Sequence, residues 1–176
     1  MATLPSWGSY FEVSLQIWIE SFSGPNFKGY TEAFRFTATE KDCCSPGDRI
    51  PALFVNAGGY LYMTSQVGSD GDFFTTCNIQ PKTWNKVQIK QYPENGKVKS
   101  TWFSILIPFF YMNLQVIYEF IVNGKTIIKT QNTKPTVYKN VKVWASQGKY
   151  YPVTNARIKN FEYEPYDISN GKFFQT

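Results

Sequence analysis

The chemistry open to this chain is limited first by a residue that it lacks, because none of its 176 residues is histidine. Histidine is the commonest general base and the commonest zinc ligand. A Ser-His-Asp or Cys-His catalytic machine is therefore excluded. The side chains that remain for binding or catalysis are carboxylates, cysteines, lysines and aromatics. We expect a protein that is not an enzyme.

The lysines are the first candidates for binding a ligand. The formal net charge is +5, and a basic balance favours acidic partners such as sulfated glycans. Sulfated chains need basic side chains that converge on one face, and the outward-facing candidates are Lys86, Lys90, Lys142 and Lys159. The alternative is that scattered lysines keep a strand-rich surface soluble and protect its edges. Nucleic acid is not an expected partner, because a denser basic stripe with interleaved aromatics is lacking.

Neutral sugars would need exposed aromatic rings instead of cations. Tyr150 and Tyr151, in the loop from Gly148 to Pro152, are the candidates for such a platform. The alternative is that these two tyrosines cap the end of the domain. Glycan binding is therefore predicted in two forms, which differ in the charge of the sugar.

Three cysteines add a possible covalent link. Cys43 and Cys44 are adjacent and point to opposite sides if the segment is extended, so one of them could face Cys77. A Cys43–Cys77 or Cys44–Cys77 disulfide is predicted for an oxidising compartment, and it would leave one thiol over. The alternative is three buried, reduced cysteines that behave as small hydrophobes.

Strands must position these residues, because hydrophobic side chains recur with a period of two along most of the chain. In Phe11–Ile19 every odd position is apolar, which predicts a strand with one buried face and one more solvent-exposed face. Asn123-Gly124 predicts a two-residue hairpin turn, since both residues accept positive φ. The predicted strands cover 11–19, 30–38, 50–55, 60–66, 73–78, 84–92, 116–122, 125–130, 136–146 and 156–163. This series predicts an all-β, antiparallel two-sheet sandwich or jelly roll.

One segment departs from the alternating pattern. Residues 101–112 form a nearly continuous apolar run that is too short to span a bilayer as a helix. Pro108 also argues against a long central strand. The run predicts a buried strand with a protruding apolar loop, and the alternative is a loop that touches a membrane.

Several segments, by their order and spacing, resemble the concanavalin A-like jelly rolls. The resemblance is greatest to laminin-G-like modules of animal extracellular proteins, and cnidarian members are especially similar. It covers roughly residues 8 to 164 and rests on 47–52, 84–89, 118–125, 140–146 and 156–161. The chain departs from the family pattern by an extra stretch, 98–115, which is either a genuine insertion or a translated intron.

The resemblance implies a calcium site at a rim of the sandwich. Calcium takes oxygen ligands, and Asp70 and Asp72, in a glycine-rich turn, are the best donors, with Asp48 and Asn56 as possible neighbours. The alternative is that Asp and Gly only build tight turns there. Asp48 is also explained as a loop-fixing residue. No cofactor is required on this interpretation, and calcium is a possible one.

Related sandwiches include retaining glycosidases with a Glu-x-Asp-x-Glu array on one strand. This chain offers only Glu162 and Glu164, without the middle Asp and the third Glu. Glycan hydrolysis is therefore the remote alternative.

The sequence as a whole predicts one laminin-G-like domain over residues 1–164, followed by a tail over 165–176. The resemblance implies an extracellular location, although the residues after Met1 carry no visible secretory signal. We expect a non-catalytic recognition or adhesion module that binds a glycan or a protein partner. The rival hypothesis is a structural protein that self-assembles through 101–112 and the odd cysteine. The sequence leaves the oligomeric state open.

Overall fold

A computed structural model describes residues 2–22, 29–41, 45–68, 72–94, 115–145, 156–167 and 172–173. These residues form the strands β1 (Ala2–Trp7), β2 (Phe11–Ile19), β3 (Tyr30–Thr37), β4 (Ala52–Asn56), β5 (Tyr60–Gln66), β6 (Asp72–Asn78), β7 (Trp84–Pro93), β8 (Val116–Val122), β9 (Lys125–Asn132), β10 (Tyr138–Trp144), β11 (Ala156–Asp167) and β12 (Lys172–Phe173). Within the described ranges, no helix is long and apolar enough to cross a membrane.

The strands form two sheets, and every pairing within them is antiparallel. Sheet A has the order β1-β10-β3-β4-β5-β6, and sheet B has the order β12-β11-β2-β7-β8-β9. The predicted all-β sandwich of two antiparallel sheets is confirmed. The consecutive strands β3–β6 lie side by side in sheet A and β7–β9 in sheet B, whereas β1, β2, β10 and β11 pair with strands distant in the sequence.

Strand β2 is central in sheet B and shows why the alternating pattern was informative. Its odd positions, from Phe11 to Ile19, are all buried, and its even positions are partly exposed. It pairs with β7 along its whole length and with β11 over most of it. Antiparallel partners point to the same face, so the even positions of β2 begin an outer surface that β7 and β11 continue.

Strand β3 differs, because every residue from Thr31 to Thr37 is buried. A β-bulge between Glu32 and Phe34 shifts the pairing with β4. Phe34 and Phe36 therefore join the core, while Glu32 and Arg35 lie on the outer face of sheet A. These two side chains are 0% exposed, and Arg35 Nε lies 3.7 Å from Glu32 Oε2. The outer face of sheet A thus holds a buried ion pair.

The core between the sheets is rich in aromatic side chains. The Trp7 ring lies 4.4 Å from Phe11, 4.6 Å from Phe36 and 4.8 Å from Tyr163, measured between centroids. Trp7 and Phe36 belong to sheet A, whereas Phe11 and Tyr163 belong to sheet B. These contacts join the two layers, and pairs of this kind add about 0.5–1.5 kcal/mol beyond the area that they bury.

The hairpin between β8 and β9 has the predicted turn. Asn123 and Gly124 have φ values of 52° and 78°, as a turn with two left-handed residues requires. The Asn123 side chain also accepts a hydrogen bond from the Lys86 backbone N–H at 2.8 Å and donates one to Asn85 Oδ1 at 3.0 Å. The turn is therefore fixed to the beginning of β7.

Two parts of the strand assignment differ from the sequence prediction. Strand β1 was not predicted, because Ala2–Trp7 contains Pro5 and only a short apolar pattern. Strand β11 continues past residue 164, where we placed the start of a tail, since Pro165 still pairs with Phe11. Strand β12 then pairs with the end of β11. The apolar run 101–112 and the insertion 98–115, except for Gln115, lie outside the described residues.

Candidate functional site

The register of sheet B places basic and tryptophan side chains in two adjacent rows on its outer face. Lys159 of β11 pairs with Gln16 of β2, which pairs with Lys86 of β7. In the next row Arg157 pairs with Trp18, which pairs with Trp84. We call the five side chains Trp18, Trp84, Lys86, Arg157 and Lys159 the basic patch.

The cations of the patch lie over its indole rings. Lys159 Nζ is 4.0 Å from the centroid of Trp84, and Arg157 Cζ is 5.0 Å from that of Trp18. Both distances are within the range of cation–π attraction. The indoles hold the cations in place, so the patch presents positive charge in a fixed arrangement rather than free aromatic faces.

A shallow depression adjoins the patch where β11 is irregular. A β-bulge lies between Lys159 and Glu162, and Asn160 has a positive φ of 50°. The depression has a volume of about 140 Å³ and is lined by Ser14, Leu15, Gln16, Lys86, Asn160 and Glu162. It is smaller than the sites that enclose a whole drug-sized ligand. It can receive a single uncharged polar group, such as a sugar hydroxyl, because its lining joins amides and Lys86 to the Glu162 carboxylate, to which the Ser14 hydroxyl already donates at 3.2 Å.

The opposite end of the same face is acidic. Lys90 Nζ lies 3.0 Å from Glu12 Oε2, and Gln88 donates to Glu12 at 2.8 Å. Burial, then the charges of Glu12 and Glu162, raise the pKa of Glu164, and Lys90 opposes that rise. On the outer face of sheet B, the cations of the basic patch therefore lie at the Lys86–Lys159 end, whereas Lys90 and Lys129 at the other end lie beside Glu12 and Glu119.

A tyrosine extends this acidic end towards the edge of the sheet. The Tyr92 hydroxyl donates to Glu119 at 3.0 Å. Burial, followed by the hydrogen bond and the charge of Glu119, raises the pKa of Tyr92 to about 12. Tyr92 therefore stays neutral at any physiological pH.

The four predicted lysines do not form one site. Lys86 and Lys159 come together in the basic patch. Lys90 is on the same face but is paired with Glu12. Lys142 lies in β10 of sheet A, at the other side of the sandwich, and forms an ion pair with Glu40. The convergence of four lysines is therefore not found, because the order of the strands separates Lys142 from the others.

Sequence reasoning missed Arg157, Trp18 and Trp84. A signal was present, because Trp18 occupies an even position of β2, and Trp84 has the same parity as Lys86 in β7. What was not available was the pairing register, which brings the two tryptophans into one row. The predicted platform of Tyr150 and Tyr151 lies outside the described residues.

The residues predicted for calcium have other partners or lie apart. Asp48 is buried and accepts hydrogen bonds from the Thr39 hydroxyl and from the Ser45 N–H, the latter at 2.8 Å. It fixes its loop, as the alternative explanation proposed. Asn56 accepts from the Gly58 N–H at 2.7 Å and so shapes the β4–β5 turn. Among the described residues, no cluster of three or more acidic, cysteine or histidine side chains could hold a metal.

The register also separates the proposed calcium donors. Gln66, the last residue of β5, pairs with Asp72. Tyr60, the first residue of β5, lies at the opposite end of the strand, next to the β4–β5 turn that Asn56 begins. A seven-residue strand is about 20 Å long. Asn56 therefore cannot share an ion with Asp72, and Asp70 lies outside the described residues.

Cys77 is a free thiol, so the predicted disulfide from Cys77 to Cys43 or Cys44 is not found. The Cys77 side chain packs against the core from the inner face of β6. Burial raises its pKa to about 11, which makes the thiol unreactive at neutral pH. Cys77 thus behaves as the small hydrophobe of the alternative prediction, while Cys43 and Cys44 lie outside the described residues.

Solved structures with the same fold confirm a jelly-roll sandwich. A native heptameric SAP-like pentraxin from Limulus polyphemus aligns with 93% of this chain and 66% of its own, with a TM-score of 0.53 and 12% identity. The receptor-binding domain of botulinum neurotoxin D aligns with 97% and 36%, with a TM-score of 0.56 and 13% identity. Botulinum neurotoxin type C, whose cell entry depends on interaction with two ganglioside molecules, aligns with 94% and 33%, with a TM-score of 0.52 and 12% identity.

These likenesses establish the fold and nothing finer. The chain spans two thirds or less of the length of each of these proteins. No protein-family model and no curated protein sequence matches it.

Proposed function

We propose that this domain is a non-catalytic recognition module that binds acidic glycans through the basic patch. The observation that carries the proposal is the pairing register, which aligns Lys159 with Lys86 and places Arg157 beside them on one face. A structural neighbour that interacts with gangliosides supports a glycan as the ligand. A protein partner with an acidic surface would use the same charges.

The chemistry of the patch suits sulfate or carboxylate groups. Arg157 offers a planar guanidinium that binds such groups with two parallel hydrogen bonds. Lys86 and Lys159 offer ammonium groups on either side of Gln16 in the neighbouring row. The cations on the indole rings contact the anionic groups of a glycan chain, while the depression beside Asn160, whose lining includes Glu162, can receive a sugar hydroxyl.

The finer assignments rest on the sequence resemblance. We propose a laminin-G-like module that acts outside the cell, because the order and spacing of the segments 47–52, 84–89, 118–125, 140–146 and 156–161 resemble that pattern and the jelly-roll fold is compatible with it. We also propose that the domain does no catalysis, since the chain has no histidine and its paired Glu162 and Glu164 lie on an open sheet face.

Calcium is not required in this proposal. The oxygens of Asp48 and Asn56 are already used within their own loops, which leaves Asp70 and Asp72 as donors. A thermal melt with and without a chelator tests this point. We expect the same melting temperature in both, and a drop on chelation would restore calcium as a ligand of the domain.

The main experiment measures the affinity of a heparin-derived oligosaccharide for the wild type and for matched charge variants. The double variant Lys86→Gln/Lys159→Gln removes two charges from the patch and should weaken binding at least tenfold. The matched control is the double variant Lys139→Gln/Lys142→Gln, which removes two lysines from β10 in the opposite sheet and should bind as the wild type does. Equal losses in both variants would show that net charge alone attracts the glycan. Unchanged binding in the double variant Lys86→Gln/Lys159→Gln would show that the glycan does not bind at the basic patch.

A further inference from the structure

The edge strand β6 lacks the protection that the other edges of the sandwich have. Exposed strand edges invite pairing with another chain, and natural proteins block them with lysine or proline. Strand β9 carries Lys125 and Lys129, β1 carries Pro5, and β12 carries Lys172. Strand β6 carries no charge and no proline from Phe73 to Asn78. It ends sheet A within the described part of the chain.

Exposed aromatic rings adjoin this edge on the outer face of sheet A. Phe74 of β6 is 62% exposed, and Tyr30 and Tyr60 are also exposed. The Phe74 ring stacks on Tyr62 with centroids 5.7 Å apart, and Tyr62 lies 4.9 Å from Tyr30. Contiguous exposed apolar surface usually marks a contact, and aromatic enrichment without charge is typical of the centre of protein interfaces.

The inner side of the same edge has room for a partner. A groove of about 520 Å³ lies between β6 and the β8–β9 hairpin, and its lining includes Cys77, Val122 and Ile127. A strand added beside β6 would place its inward side chains over this groove and its outward side chains against Phe74. The outer face of the edge therefore offers aromatic contact to an added strand, and the inner face offers a groove in which Cys77, Val122 and Ile127 lie beside polar groups that include Lys125.

We propose that β6 pairs with β6 of a second copy of this chain, around a two-fold axis, to make one sheet continuous across both copies. The segment suits itself as a partner, because Phe73–Asn78 is uncharged and the one charged residue of β6, Asp72, lies at the end of the strand, away from its own copy across a central two-fold axis, although each chain carries a net charge of +5. Two-fold interfaces use the same patch on both subunits. This inference is independent of the basic patch, which lies on the other sheet.

The alternation of side chains limits the register of this pairing. A continuous sheet must keep outer residues opposite outer residues, since a slip by one position exchanges the faces. A two-fold axis between two residues would place an outer residue opposite an inner one. A two-fold axis near the centre of Phe73–Asn78 must therefore pass through Thr75 or through Thr76. Thr76, which is exposed on the outer face, then lies opposite Phe74 or Thr76 of the second copy.

The test measures the mass of the full chain by sedimentation over a range of concentrations, with reductant present so that no disulfide contributes. We expect a concentration-dependent dimer for the wild type and for Thr76→Gln, which is long but uncharged. Thr76→Lys and Thr76→Glu should each weaken the dimer at least tenfold, because each places two like charges at the axis or one residue to either side of it. A mixture of the two variants should restore it.

Two controls separate pairing from folding and from other edges. Phe74→Lys should also give a monomer, and circular dichroism must show that each variant keeps the strand spectrum of the wild type. Gln131→Lys adds the same charge to β9, at the other sheet, and should leave the dimer intact. A wild type that stays monomeric at every concentration overturns the proposal. A dimer that persists in the Thr76→Lys variant also overturns the proposal. A dimer that is lost in the Gln131→Lys variant overturns it as well.

Discussion

The two outer faces of the sandwich treat charge and aromatic surface in opposite ways. On sheet B, Arg157 and Lys159 are exposed, and they lie over tryptophan rings. On sheet A the charges of Glu32 and Arg35 are buried, and the rings of Tyr30, Tyr60 and Phe74 are exposed. The same fold thus offers one face suited to charged ligands in water and one suited to apolar contact.

The largest expected difference between the faces lies in their ion pairs. Glu32→Ala leaves the buried Arg35 without the carboxylate beside it, which costs about 3–5 kcal/mol for a buried pair. Glu12→Ala breaks the pair with Lys90 on the other face, where the two side chains are 14% and 24% exposed, and the loss should be smaller because water reaches both charges. Urea unfolding of both variants measures the two free energies. Similar losses would mean that the faces do not differ in this way.

Salt should separate the two proposed contacts. Raising the ionic strength from about 0.1 M to about 1 M shortens the Debye length from about 10 Å to about 3 Å. Glycan binding at the basic patch should weaken roughly tenfold, a loss of about 1.4 kcal/mol. Pairing through the uncharged segment Phe73–Asn78 of β6 should weaken much less. Titrations and sedimentation at both salt concentrations test this contrast, and a parallel response of the two contacts would contradict it.

A smaller effect tests whether the indole rings hold the cations of the patch. Lys159→Met keeps the apolar stem but removes the ammonium over Trp84, and should cost about 0.5–1 kcal/mol of unfolding free energy. Lys86→Met removes the same charge from the same row and is the matched control. Thermal or urea unfolding compares them. Equal losses would show that the contact with Trp84 adds no stability.

The smallest effect concerns Glu164, at the acidic end of sheet B. Its raised pKa means that the native state holds the proton more tightly than the unfolded chain does. The stabilisation of the native state that the protonated Glu164 carboxyl contributes is therefore complete below the unfolded pKa of about 4.3. It is lost as the pH rises through the pKa of Glu164 in the folded state. Glu164→Gln should raise the melting temperature slightly near neutral pH and leave it unchanged in acid. A lower melting temperature at neutral pH would contradict the cause given for the shift.

Local patterns in the sequence were enough to predict most strands. The period of two in Phe11–Ile19 reports directly on a strand with one buried face, and Asn123-Gly124 reports on a turn whose φ values suit few other residues. The bulge in β3 could not be predicted, because it depends on its pairing with β4. Strand β1 was missed for a related reason, since it depends on pairing with the distant β10.

The candidate site could be predicted only in part. The outward direction of Lys86 and Lys159 follows from alternation within each strand. Their approach to each other, the distance of Lys142 from both, and the contacts with Trp18 and Trp84 follow from the order of the strands. That order is set by long-range pairing, for which a single sequence carries no local signal.

The central position of β2 has a consequence for the order in which backbone amides become accessible. Hydrogen-bonded neighbours on both sides cover this strand, and it carries Gln16 and Trp18, which form the middle of both rows of the basic patch. Its amides should exchange with deuterium only when the whole domain unfolds, whereas those of β6 should exchange through local opening. The binding face would then be supported by the most slowly exchanging part of the protein.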